Sequence, residues 1–168
     1  MKPVFSLLII LIWVFFVAET GKKPIEYFEE KSTVLMPNEI VDWMNKDRKL
    51  YMAGFSRAEP NFRWSKDEEQ HICFKPVENI HQKNNVKISM SILMPNISIG
   101  KDFYVGEKGK LEQRACSSVA CSVEFDVPVS GSDGRILCAY INAPSILKVN
   151  GDYRNLGYKL ISFKYSIE

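Results

Sequence analysis

The most constraining feature of this chain is a series of short segments in which apolar and polar side chains alternate. In residues 120–129, Val123, Phe125 and Val127 share one side, opposite Glu124 and Asp126. A period of two predicts strands with one buried and one solvated face. Closely spaced strands without a long helix between them predict an antiparallel all-β domain, a barrel or a sandwich. Eight such strands are predicted, at residues 49–57, 71–80, 86–94, 102–107, 110–116, 120–129, 135–142 and 158–167.

The first twenty residues have the pattern of a secretory signal. Lys2 precedes a run of about fourteen mostly apolar residues, which is shorter than the roughly twenty needed to span a bilayer. Ala18-Glu19-Thr20 offers small residues for a cut before Gly21. We therefore expect a signal peptide at residues 1–20, a flexible arm at 21–37, and one secreted domain at 38–168 that does not bind membranes.

The charge of the chain is nearly balanced. Lys and Arg number 22 and Asp and Glu 20, a formal net charge of +2, and the basic residues are scattered along the sequence. A solvated surface is the usual consequence of this pattern. We expect a monomer with no nucleic-acid partner.

Four cysteines lie in the predicted secreted part, and an even number in an oxidising compartment predicts two disulfides. A Cys116–Cys121 bond would close a hairpin and leave Cys73–Cys138 as the long-range link. The alternatives join Cys73 to one member of the close pair and Cys138 to the other. No Cys-x-x-Cys spacing accompanies the histidines, so no metal or cofactor is expected. Asn96-Ile97-Ser98 is a glycosylation sequon at a predicted turn.

A short helix is predicted at residues 38–48, before the first strand. Asn38 is a good N-cap residue, and Glu39 lies in the first turn. Ile40, Trp43 and Met44 share one helical face. The helix is expected to cover one end of the β-domain.

The region from this helix to the first cysteine resembles the tick salivary lipocalins, which include histamine-binding proteins. The residues that carry the resemblance are Asp42-Trp43, Leu50-Tyr51-Met52, Phe55, Glu59-Pro60-Asn61-Phe62, Trp64 and Cys73. The resemblance implies an eight-stranded antiparallel up-and-down barrel in tick saliva. It further implies that the protein sequesters a small host mediator, either a biogenic amine or a lipid such as an eicosanoid.

The predicted inward side chains favour an apolar ligand over histamine. A buried ammonium needs an inward carboxylate, whereas Glu124 and Asp126 lie on the polar side of their strand. The inward row includes Met90, Phe125, Phe163 and Tyr165, and aromatic residues near the presumed barrel mouth have an apolar body with a polar tip. The expected ligand contacts are Trp43, Tyr51, Phe55, Trp64, Met90, Phe125, Phe163 and Tyr165.

A catalytic role is not expected. The sequence has no Gly-x-Ser-x-Gly nucleophile motif and no Gly-rich phosphate loop. The competing interpretation is a secreted β-sandwich, which would bind a host protein or a lipid head group through its outer surface. Strand number and alternation fit both architectures.

Overall fold

The computed structural model of the 168-residue chain describes residues 24–41, 43, 49–56, 59–66, 69–78, 80, 84–129, 135–143, 147–148 and 155–167. Residues 1–31 and 32–168 form two compact units. In the first unit, helix α1 spans Pro24–Lys31, where the sequence predicted only a flexible arm. The predicted signal peptide at residues 1–20 lies outside the described residues, as do Asp42, residues 44–48 and His81.

The second unit is built from antiparallel strands, and each of the eight predicted segments overlaps one of them. The all-β antiparallel prediction is therefore confirmed. The strands are β1 Leu50–Ala53, β2 Arg63–Trp64, β3 Glu69–Phe74, β4 Asn85–Leu93, β5 Asp102–Glu107, β6 Lys110–Ala115, β7 Ala120–Pro128, β8 Leu137–Asn142, β9 Leu147–Lys148, β10 Asn155–Leu156 and β11 Lys159–Ser166.

The strands form two large sheets, and no closed eight-stranded barrel is found among the described residues. One sheet has five strands in the order β1-β3-β8-β5-β6, the other has four in the order β2-β11-β4-β7, and β9 pairs with β10. A barrel would need continuous pairing around the sheet. Instead β6 pairs only with β5 and β7 only with β4 in the described part of the chain. Alternation alone did not distinguish these outcomes, because both architectures bury one face of each strand.

The apolar sides of the two sheets share one core, as in a β-sandwich. The ring of Phe74 on β3 lies 5.7 Å from that of Phe163 and 4.7 Å from that of Tyr165, both on β11. The predicted inward residues of β4 and β7 are buried as expected, except Cys121, which is only partly buried. The buried ones are Val86, Ile88, Met90, Ile92, Val123, Phe125 and Val127.

The last strand departs from simple alternation because it contains a β-bulge. The register shifts between Leu160 and Ser162, so Leu160 and Phe163 are both buried although they are three residues apart. Ile161, which strict alternation placed inward, is only partly buried. Its carbonyl accepts a hydrogen bond of 2.7 Å from the indole Nε1 of Trp43.

The predicted helix at residues 38–48 is not found at residues 38–41. Asn38 has a φ of 61°, and its N–H donates to the carbonyl of Tyr165 at 2.7 Å. A left-handed residue bonded to a strand cannot act as the extended N-cap of a helix. Contacts with β11 therefore override the local helix signal in this stretch.

Residues 34–38, which we call the strap, are anchored rather than loose. Val34 forms a parallel bridge with Lys75, and the Leu35 N–H donates to the Lys75 carbonyl at 2.8 Å. The Tyr165 hydroxyl donates to the Leu35 carbonyl at 2.8 Å and accepts from the Val77 N–H at 3.3 Å. Leu35 is fully buried. The end of the predicted arm, residues 34–37, is thus held to the second unit.

Two disulfides decide between the pairings that the sequence left open. Cys73 bonds to Cys138, a residue directly opposite on the neighbouring strand. Cys116 bonds to Cys121 and closes the loop between β6 and β7. Such bonds are typical of extracellular proteins.

Candidate functional site

The outer side of the five-stranded sheet carries an unusual set of aromatic side chains. Inward residues such as Ile72, Ala139 and Val105 are fully buried, so their neighbours along each strand point outward. His71 lies opposite Tyr140, and Tyr140 lies opposite Gly106. We call this surface the tyrosine face, formed by Tyr51, Ala53, Glu69, His71, Tyr104, Leu111, Gln113, Tyr140 and Asn142.

His71 is the centre of a stacked aromatic group on the tyrosine face. Its ring centroid lies 5.6 Å from that of Tyr51 and 5.4 Å from that of Tyr140, and both interplanar angles are 37°. These spacings are within the favourable range for aromatic pairs. The His71 ring therefore contacts both phenol rings.

His71 is neutral at neutral pH. Burial, followed by the positive charge of Lys108, lowers its pKa below the ordinary 6.5. Both causes disfavour the imidazolium form. The neutral imidazole form of His71 therefore predominates near pH 7.

A depression of about 190 Å³ adjoins this stack. Gly106 lies between Tyr140 and Leu111 in one row across the sheet. Its φ is 151°, and an added Cβ would lie 2.5 Å from the backbone oxygen of Lys110. The lining residues are Glu69, Gln70, His71, Lys108, Gly109, Leu111, Tyr140, Ile141 and Asn142.

The tyrosine face also exposes apolar surface. Tyr104 is 41% exposed and Leu111 38% exposed, and they lie on adjacent paired strands. Tyrosine combines a large contact area with one hydrogen-bonding group, and it is enriched where proteins bind partners. The tyrosine face therefore has the composition of a recognition surface.

The outer side of the four-stranded sheet has a different character. Here Lys87 lies opposite Asp126, and Ser89 lies opposite Glu124 and donates to its carboxylate at 3.3 Å. We call this surface the charged face, formed by Lys87, Ser89, Ser91, Ser122, Glu124, Asp126, Ser162 and Lys164. Alternating charges and hydroxyls are typical of a solvated surface, so the charged face supplies matched control positions.

The eight sequence-predicted ligand contacts do not converge on one opening. Met90, Phe125, Phe163 and Tyr165 are buried in the core, as are Phe55 and Trp43. Tyr51 belongs to the tyrosine face. Trp64 lies at the end of the other sheet, where the Lys159 ammonium is 4.5 Å from the Phe62 ring and 4.8 Å from the Trp64 ring.

Neither Tyr104 nor Tyr140 was predicted from the sequence to contact a ligand, and His71 was considered only as a possible metal ligand. Alternation in residues 137–142 does place Tyr140 opposite in parity to the apolar Leu137, Ala139 and Ile141. What the sequence did not supply was the strand pairing that brings His71 beside Tyr140.

The glycosylation sequon lies at an accessible turn. Asn96 is exposed and begins a 3₁₀ turn, Asn96–Ser98, directly after Pro95. Glycosylation of Asn96 stays a prediction.

The described part of the chain contains no group of three or more His, Cys, Asp or Glu side chains that could hold a metal ion. It also contains no helix that is long and apolar enough to cross a membrane. Comparison of the chain with protein-family models and with curated protein sequences gave no match. The resemblance to the tick salivary lipocalins therefore stays a prediction.

Proposed function

We propose that this protein is a secreted binding protein that recognises a small ligand, or a small group presented on a larger one, at the tyrosine face. The observation that carries the proposal is the stack of His71 between Tyr51 and Tyr140 beside a depression of about 190 Å³. Ligand sites combine apolar and aromatic walls with a few polar groups. The depression has this composition, with Leu111 and Tyr140 beside Asn142.

The proposed location outside the cell rests on two observations. The N-terminal sequence has the pattern of a cleaved signal, and both disulfides are of a kind that persists in oxidising compartments. The resemblance to the tick salivary lipocalins adds the proposal that the protein acts outside the producing organism, as a salivary scavenger. The role proposed is stoichiometric binding rather than catalysis.

A second candidate is a small apolar ligand held between the two sheets. The observation that favours it is the group of large aromatic side chains at the sheet interface, where Phe74 contacts both Phe163 and Tyr165. A fatty acid or eicosanoid would find an apolar environment there. This candidate corresponds to the sequestration of an apolar mediator that the sequence suggested.

Native mass spectrometry distinguishes the two candidates. The protein is secreted from eukaryotic cells, deglycosylated, and weighed under native and denaturing conditions. A bound ligand would appear as a non-covalent mass of a few hundred daltons on the native protein. If Tyr140→Ala loses this mass and Ser91→Ala keeps it, the ligand binds at the tyrosine face. The same mass retained by both variants supports binding between the sheets.

Saturation-transfer NMR provides a second test, with a panel of amines, carboxylates, zwitterions and fatty acids as candidate ligands. We expect at least one class to bind the wild-type protein and Ser91→Ala, and to bind Tyr140→Ala at least about tenfold more weakly. Equal binding of every active compound to both variants would remove the tyrosine face from the proposal.

A further inference from the structure

The depression on the tyrosine face carries opposite charges at its two ends. Of its lining residues, Glu69 and Lys108 are the ones charged at neutral pH. Both side chains are exposed, and neither forms an ion pair or a side-chain hydrogen bond within the described residues. Other exposed charges are engaged, such as Glu112 with Arg114 at 2.6 Å. The depression is therefore flanked by one available anion and one available cation.

The sheet register shows that these charges lie on opposite sides of the aromatic row. Glu69 pairs with Asn142, which follows Tyr140 by two residues on β8, so this pair lies in the next row on one side of Tyr140. Gly106 on β5 pairs with Tyr140, and Lys108 follows Gly106 by two residues, in the turn after β5. Because β5 runs antiparallel to β8, this turn lies on the other side of Tyr140 from Asn142. Successive outward rows of a strand are about 7 Å apart. In the sheet register Tyr140 therefore lies between the row of Glu69 and the turn that carries Lys108.

A ligand with a single charge would satisfy only half of this arrangement. An amine could bind near Glu69 and the Tyr140 ring, but it would leave Lys108 without a partner. A simple anion could bind Lys108, but it would approach the carboxylate of Glu69. A zwitterion can pair with both, because its cation and anion are separated by a few bonds.

The geometry points to a binding site for a zwitterionic phosphocholine-type group, with its quaternary ammonium against Tyr140 and Glu69 and its phosphate at Lys108. This inference rests on the proposed function of the tyrosine face. Quaternary ammonium groups bind aromatic faces with a nearby carboxylate, and lysine is a common phosphate ligand. A volume of about 190 Å³ suits a head group and is below the range typical of drug-sized ligands.

Titration calorimetry and NMR with free phosphocholine at pH 7.4 test this site, with choline and inorganic phosphate as single-charge comparisons. Phosphocholine is expected to bind at least about threefold more tightly than either comparison compound. Glu69→Gln and Lys108→Gln should each weaken binding about threefold to tenfold. The matched controls on the charged face, Glu124→Gln and Lys164→Gln, should leave it unchanged.

Vesicles separate the two sources of such a group. Binding to phosphatidylcholine vesicles but not to phosphatidylglycerol vesicles, with the same loss in Lys108→Gln, assigns the site to a lipid head group. Binding of free phosphocholine without vesicle binding assigns it to a soluble ligand. Thermal unfolding of each variant confirms that it is folded.

Three results would overturn the inference. The first is equal binding of phosphocholine, choline and phosphate. The second is an equal loss of binding in Glu69→Gln, in Lys108→Gln and in the charged-face controls. The third is the absence of phosphocholine and vesicle binding. If Tyr140→Ala still weakens another compound of the NMR panel, the tyrosine face survives as a binding site with a different ligand; if it weakens none, the proposed function fails as well.

Discussion

Removal of the Tyr165 hydroxyl tests how the strap is held to the domain. In Tyr165→Phe the ring remains in place, but the Leu35 carbonyl loses its O–H donor and the Val77 N–H loses its acceptor. Tyr165 is fully buried, so water does not readily replace the hydroxyl. Each lost hydrogen bond costs about 1 kcal/mol, so we expect a loss of about 2 kcal/mol in the free energy of unfolding.

Urea unfolding measures this loss. With an m-value of about 2 kcal/mol/M, the midpoint should fall by about 1 M. Hydrogen exchange should also accelerate in the strap, residues 34–38, more than in the central strand β4. Tyr104→Phe is the control, because that hydroxyl is on an exposed side chain and its removal should change stability by less than about 0.5 kcal/mol. If Tyr165→Phe unfolds at the wild-type urea concentration with unchanged exchange in the strap, the reasoning is refuted.

Three further changes have defined outcomes. Gly106→Ala would place a Cβ 2.5 Å from a backbone oxygen and should destabilise the domain by about 2 kcal/mol or more in a thermal melt, whereas Gly109→Ala has an open surrounding and should lose only about 1 kcal/mol. Burial and then Lys108 lower the pKa of His71, so its contribution to stability is complete above pH 6.5 and is lost as the pH falls through the lowered value. His71→Gln should flatten that part of the stability–pH curve, and an unchanged curve contradicts this assignment. Trp43→Phe removes the indole donor to the bulged strand and should cost about 1 kcal/mol or more in urea, while an unaltered midpoint would mean that this bond contributes nothing.

Much of the fold follows from local sequence patterns. The two-residue alternation of apolar and polar side chains identified segments that form strands. It could do so because the burial of one face leaves its pattern within each strand, whichever strand it pairs with. It assigned Val123 and Phe125 to the core and Glu124 to solvent, as the structure has them. Alternation failed at Ile161, where a bulge inserts one residue, since a bulge is set by the partner strand rather than by the strand itself.

The division into two sheets was not predictable in the same way. It depends on which strands pair, and pairing involves residues far apart in the sequence. β3 lies between β1 and β8, and β11 lies between β2 and β4. Likewise, the helix expected at Asn38 depended on local propensity, which the hydrogen bond to Tyr165 overrides.

The pairing of aromatic residues on the tyrosine face could be predicted from the sequence once the Cys73–Cys138 disulfide was known. Cys73 and Cys138 are directly paired on antiparallel strands. The residue two before Cys73, His71, must therefore pair with the residue two after Cys138, Tyr140. A slip of one residue would turn both rings into the core and the neighbouring apolar side chains into solvent. The cross-strand disulfide prevents this slip because it joins the two strands at a fixed register. The same bond that stabilises the domain therefore also determines which aromatic side chains meet on its surface.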